Sequence, residues 1–172
     1  MKPPPSVNQI TEQLGGIQAR VVQLSEEVRR ISHRLHPSIL EDLGLTAALS
    51  ELCEEFSTRE GMEVLFEHEA VPRVLPVAVA SCLYRVAQEA LHNVLKHAHA
   101  GRARLRLSGS PRGIHLSIHD PGVGFDDAAR RGLGIVSMKE RIHLVQGEFS
   151  IHSQAERGTE VSVFVPLAKE AV

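Results

Sequence analysis

Between Glu89 and Ala98 the chain reads Glu-Ala-Leu-His-Asn-Val-Leu-Lys-His-Ala. Glu89 and Asn93 stand four residues apart, and Lys96 and His97 follow within the next turn, so on a helix these four project to one side. Ala90, Leu91, Val94 and Leu95 make the opposite, apolar side. A carboxylate, an amide oxygen and a cation stacked in this way suit a hydrated magnesium ion beside phosphates. Magnesium takes oxygen ligands, keeps several waters and is commonly completed by nucleotide oxygens. A plain solvated face gives the same pattern, so this segment alone decides nothing. A second segment, Asp120-Pro121-Gly122-Val123-Gly124-Phe125, directly follows an alternating stretch. An ionised aspartate accepts hydrogen bonds and cannot donate them, so it would favour the exocyclic amine of adenine over the oxygen guanine carries there. The bland alternative is a turn built from Asp, Pro and Gly. Third, Gly132-Leu133-Gly134-Ile135-Val136 opens a helix. Glycines let backbone amides approach phosphate oxygens, and a helix N-terminus favours anions. Fourth and weakest is Gly158-Thr159 at the start of a late strand.

These segments need elements to hold them. Ile10, Leu14, Ile17, Val21, Leu24, Val28, Ile31 and Leu35 alternate spacings of four and three, the seven-residue repeat of a coiled-coil or four-helix-bundle seam. Gly15 and Gly16 weaken its start, and Pro37 ends or kinks it. One such helix cannot bury its own stripe. It pairs with a second chain, needs a further helix upstream, or folds back on its own domain. A second helix is expected over 43–60 with Gly61 as its stop, then a strand over 62–68 and a turn at Val71-Pro72. A long helix over 76–98 carries the Glu89–His97 face. Strands over 102–108 and 114–119, broken by Gly109-Ser110-Pro111-Arg112-Gly113, read as a hairpin. A helix over 133–146 and strands over 148–153 and 159–166 complete the chain, giving five strands and three helices after the arm.

Composition narrows the partners. The 172 residues suit one ordinary domain with a helical arm, and 42% hydrophobic with 23% charged residues is usual for a globular chain. A formal charge of −2 with no Lys/Arg-rich run argues against nucleic acid. No stretch approaches the roughly 18 apolar residues of a membrane span, and Met-Lys-Pro-Pro-Pro is no signal peptide. Cys53 and Cys82 fall in apolar helical patterns, as reduced cytosolic thiols packed as small hydrophobes do. The chain therefore reads as cytoplasmic, although a longer parent protein could be anchored at a membrane.

Taken in order, the four segments resemble the ATPase module of sensor histidine kinases, within the GHKL superfamily that includes gyrase, heat-shock chaperones and mismatch-repair ATPases. Tyr84 to Ala98 is similar to that family's asparagine box, Asp120 to Phe125 to its first glycine box, and Gly132 to Ile142 to its second. Gly-Leu-Gly followed by Met138-Lys139-Glu140-Arg141 points to the subfamily that signals to helix-turn-helix response regulators of the NarL/LuxR type. His36 to Leu45 resembles that subfamily's junction between dimerisation helix and ATPase domain. The resemblance implies an α+β, two-layer sandwich of the Bergerat type, with one mixed sheet covered by helices on one face. It implies a leader over 1–9, a dimerisation-type helix over 10–40 and an ATP-binding catalytic domain over 41–172. It further implies ATP and Mg2+ as cofactors, with Asn93 on the metal and Glu89 beside the metal waters, orienting water or assisting proton transfer. Asp120 is implied to hold the adenine amine, and Gly122 and Gly124 to shape the base pocket. Gly132, Leu133 and Gly134 are implied to form the phosphate lid, Thr159 to meet the adenine edge through water, and Lys96 and His97 to lie on the phosphate side. The implied partners are a second copy, through the N-terminal helix, and a response regulator in the full system.

Three features depart from that pattern. Pro121 stands where the family usually carries a polar residue, which removes an amide donor but leaves the Asp120 carboxylate available. Asp126–Arg131 is short for a nucleotide lid. The subfamily's acceptor histidine is followed at once by an acidic residue, whereas His33 precedes Arg34 and His36 precedes Pro37. A nucleophilic imidazole needs one nitrogen unprotonated and the other oriented, so neither histidine is expected to accept phosphate. The ten histidines lack the Cys or acidic tetrad of a structural zinc site. Two other functions compete with the kinase module. One is a serine kinase of the anti-sigma-factor type on the same nucleotide fold, against which the heptad arm and the 36–45 junction argue. The other is a dimerising module without catalysis.

Overall fold

The computed structural model describes residues 40, 42–125 and 132–167, all within the unit Ile39–Val172. The leader, the heptad helix with His33, His36 and Pro37, and the 126–131 segment lie outside the described residues. Helix α1 spans Gly44–Arg59 and buries Leu45, Ala48, Leu49, Leu52, Cys53 and Phe56, a stripe at the three- and four-residue spacing of a helix. Gly61, at φ +68°, turns the chain out of it, and the Met62 amide donates to the Phe56 carbonyl. Strand β1 (Glu63–Glu69) leads to helix α2 (Val77–Asn93), whose start at Pro76 uses proline's fixed φ and missing donor where no partner exists.

Strands β2 (Arg102–Ser110) and β3 (Gly113–Asp120) form a hairpin turning at Pro111-Arg112. That loop is shorter than the expected 109–113 break, because pairing continues to Ser110 opposite Gly113. Helix α3 (Leu133–Leu144) then crosses to β4 (Glu148–Gln154), which turns back into β5 (Gly158–Pro166). The sheet order is β1-β2-β3-β5-β4, with β1 parallel to β2 through the α2 crossover and the other pairs antiparallel. Among the described residues, the sheet has the expected five mixed strands and is accompanied by the expected three helices.

Alternation decides the layers. Leu105 and Leu107, Ile114, Leu116 and Ile118, and Val161, Val163 and Val165 are register neighbours on one face and all are buried. The helices close over that face with Leu83, Val86, Leu91, Met138 and Ile142. Arg104, Arg106, His119 and Glu160 occupy the opposite, solvated face. Burying an aliphatic side chain contributes about 1.5–3 kcal/mol, so the three central strands supply most of the adhesion between the layers. No described helix is long and apolar enough to cross a membrane.

Candidate functional site

Every expected site segment lies at an end of an element on the helix-covered side of the sheet. Helix α2 keeps α-geometry through Asn93 and then widens into a π-helical turn over Val94–Ala98, closed by His99 in the left-handed region at φ +51°. A π turn inserts one residue per turn and is enriched at functional positions. Here it breaks the even face expected from sequence: Glu89 and Asn93 are half-buried, while Lys96 and His97 stand exposed after the slip. His92 points elsewhere. Its Nδ1 lies 2.9 Å from the Gln88 carbonyl and its ring meets Phe56 edge-on, at 5.1 Å between centroids.

The N-terminus of α3 abuts this helix. A methyl group added at Gly134 would collide with Glu89 Oε1 and would lie 3.6 Å from Asn93 Nδ2. Glycine at 134 is therefore what lets the second helix start against the carboxylate and amide. Gly132 precedes the first turn, and its carbonyl accepts from the Ile135 and Val136 amides. Leu133 beside it is 90% exposed.

The aspartate site is built from backbone. Asp120 is the last residue of β3 and is 3% exposed, the one buried charged residue among those described. Its Oδ1 accepts the Gly122 amide at 2.9 Å, and the Thr159 amide lies near enough to the carboxylate to favour its charged form. Burial raises its pKa, opposed by those two amides and by nearby His119. Three glycines make the close approaches. A Cβ at Gly122 would strike the Ala98 carbonyl, one at Gly124 (φ +62°) the Gln154 carbonyl, and one at Gly158 (φ +81°) the Asp120 carbonyl. The Val123 amide donates to the Ala98 carbonyl at 2.9 Å, so the aspartate loop is tied to the end of the Glu89/Asn93 helix.

Two contributors went unnoticed in the sequence. Ala98 supplies that tie. Ser153, on the inward side of β4 after Phe149 and Ile151, places its hydroxyl 3.0 Å from Thr159 Oγ1 and accepts the Phe125 amide at 2.8 Å. A polar residue breaking an apolar alternation was the one available signal.

The comparisons with known proteins fit this geometry. Residues 78–169 match the model of the histidine kinase-, DNA gyrase B- and HSP90-like ATPases, more than half of the chain. The chain belongs to that ATPase family. Its relatives include the sensor histidine kinase MctS of Rhizobium johnstonii, 38% identical over 82% of this chain and 32% of that protein. Another is the oxygen sensor histidine kinase NreB of Staphylococcus carnosus, 36% identical over 91% of this chain and 45% of that protein. The blue-light activated histidine kinase of Erythrobacter litoralis has the same fold, at TM-score 0.63 and 18% identity over 99% of this chain and 64% of that one. The chain thus spans under half the length of the curated relatives it matches. It carries the ATP-binding domain of the sensor histidine kinase type.

Proposed function

We propose that this ATPase-family domain binds Mg-ATP and supplies the γ-phosphoryl group to a histidine on a dimerisation helix, for relay to a response regulator. The observation that carries the reading is the contact of Gly134 with Glu89 and Asn93, together with the tie from Ala98 to Val123. Through these two contacts, the segments holding amide, aspartate and glycine-opened helix share one end of the fold.

Asn93 and Glu89 offer a hard cation an amide oxygen and a carboxylate, the donor types magnesium takes. No group of three or more His, Cys, Asp or Glu side chains among the described residues could hold a metal alone. A magnesium ion held by Asn93 would therefore draw its remaining ligands from phosphate oxygens and water, and when bound it would neutralise charge on the transferring phosphoryl group. Asp120 accepts a hydrogen bond from the adenine amine, while the Gly122 amide donating to Oδ1 holds the carboxylate in place. Gly122 and Gly124 bring backbone to the base. Gly132, Leu133 and Gly134 present α3's unpaired amides to the phosphates, with Lys96 and His97 at their outer side. Glu89 would lie beside the waters of a bound ion, orienting water or assisting proton transfer. A second copy is engaged through residues 10–35, and the protein works in the cytoplasm.

Phosphotransfer separates this reading from its rivals. The full chain, supplied with labelled ATP, magnesium and a separate dimerisation helix bearing a His-acid pair, should yield an acid-labile, base-stable phosphohistidine on that helix. Acid-stable phosphoserine on a partner would indicate the serine-kinase reading. No transfer to either, despite ATP binding, would leave a signalling module without catalysis.

A further inference from the structure

A polar lane follows the outer seam between α2 and α3, away from the phosphate end. At its head Gly134 meets Glu89 and Asn93, and two turns further along α3 the Arg141 carbonyl accepts from Cys82 Sγ at 3.0 Å, so the two helices run antiparallel. On α2 the lane is made by Glu89, Gln88 and Arg85, all half-buried; on α3 by Gly134, Ser137 and Arg141, at spacings of three and four. Met138 and Ile142 hold the opposite, buried side of α3. Arg85 lies one turn along from Cys82, which brings it beside Arg141, and the lane ends on two guanidinium groups. We propose that Arg85 and Arg141 together take a carboxylate of the acceptor-bearing helix, one turn from its histidine, and so seat the imidazole over Glu89 and the phosphates. This rests on the phosphotransfer reading above.

Charge complementarity names the occupant. Arg85 Nη1 donates to Gln88 Oε1 at 3.0 Å, which fixes one edge of the guanidinium and leaves its other donors unused by that contact. The ion pairs among the described residues are Arg59 with Glu55 and Arg106 with Glu67, so neither Arg85 nor Arg141 has a carboxylate partner there. Burial and the Arg141 charge both disfavour the charged form of Arg85, opposed by Tyr84, and an incoming carboxylate relieves both. The nucleotide does not supply that anion. Its phosphates belong at Gly134, and seven residues of helix put Arg141 about 10 Å further along the axis. A protein substrate reaching the γ-phosphate along the lane passes the arginines. Glu89 and Arg85 stand four residues, about 6 Å, apart, and a helix lying along the lane repeats its own side chains at that interval. The polarity also sets direction: Glu89 repels a carboxylate at the phosphate end, while the arginines attract one at the other.

The test uses labelled dimerisation helices with a His-acid pair and a glutamate either four residues before or four after the histidine. Their binding to the full chain, with magnesium and an unhydrolysable ATP analogue, is read by fluorescence anisotropy, and phosphotransfer from ATP is read alongside. One of the two helices should bind about tenfold tighter than its glutamine counterpart. Arg85→Gln should remove that advantage, Arg141→Gln should reduce it about 2- to 5-fold because Arg141 is exposed, and neither should change affinity for the ATP analogue. Arg141→Glu, a surface change that leaves the core intact, should invert the preference in favour of a helix with lysine in the glutamate's place. Equal binding of glutamate and glutamine helices at both positions, or wild-type binding by all three arginine variants, would overturn the docking. The two levels separate cleanly. Transfer to the histidine that ignores these charges removes the docking and leaves the phosphotransfer reading; charge-dependent binding without transfer keeps the contact and removes that reading.

Discussion

Replacing Gly134 by alanine tests how much the meeting of α2 and α3 matters. The added methyl would collide with Glu89 Oε1 and come within 3.2 Å of Glu89 Cδ, so the carboxylate must swing away. It is the free end of a flexible side chain, and pushing it off its rotamer costs about 0.5–1.5 kcal/mol. Alanine offsets this, being about 1 kcal/mol better than glycine inside a helix and somewhat less so at the second helical position. The two effects nearly cancel. The melting temperature should therefore move by only about 4 °C or less. Function should not be spared in the same way, because an angstrom of misplacement at a catalytic group costs about 100-fold. In the transfer assay with a supplied histidine helix, Gly134→Ala should slow phosphotransfer about 100-fold while ATP affinity falls less than about tenfold. Glu89→Gln should match it, and the double variant should be no slower than the slower single one, since both remove the same group. A Gly134→Ala rate within about twofold of wild type would refute the reasoning. So would a double variant whose loss is the product of the two single losses.

Four further outcomes are expected. The Asp120 carboxyl, with its pKa raised by burial, protonates at a higher pH than an ordinary aspartate as acid is added. An O–H then faces the adenine amine, so ATP-analogue affinity should fall with decreasing pH in wild type more than in Asp120→Asn, whose curve isolates the titration of the phosphates. The same shift makes the folded state bind a proton more tightly than the unfolded one, so Asp120's contribution to stability is greatest at low pH and fades as pH rises through its folded pKa. Cys53 and Cys82 are buried and free, with thiol pKa values pushed up to about 12 and about 11, and Cys82 Sγ donates to the Arg141 carbonyl at 3.0 Å. Alkylation at pH 8 should be slow on both thiols in the native chain and fast after unfolding in urea; fast native labelling would contradict their packing. Leu116→Ala empties a fully buried position in the central strand and should cost about 2–5 kcal/mol, read as a lowered urea midpoint.

The strands were legible because β2, β3 and β5 alternate cleanly between Leu, Ile or Val and polar residues, and the helices because Gly61, Pro76 and Gly147 punctuate them. The candidate residues were legible by type and order. What joins them was not. The π turn has no signature in Val94–Ala98 itself, and the Ala98 carbonyl is met by the Val123 amide, a donor far along the chain. The same holds for Gly134, whose bareness matters because of Glu89 on another helix, and for Ser153, which sits next to Thr159 by strand register. Local patterns report local periodicity, whereas these pairings arise from the crossover and the register.

In the proposed function, one magnesium nucleotide is shared by the amide of Asn93 and the carboxylate of Asp120. Calorimetry of the full chain with an unhydrolysable ATP analogue, with and without magnesium, for wild type and Asn93→Ala, measures that sharing. Wild type should bind with an affinity that rises at least about tenfold with magnesium, whereas in Asn93→Ala magnesium should make no difference. Equal magnesium dependence in both proteins, or no binding by either, would contradict it.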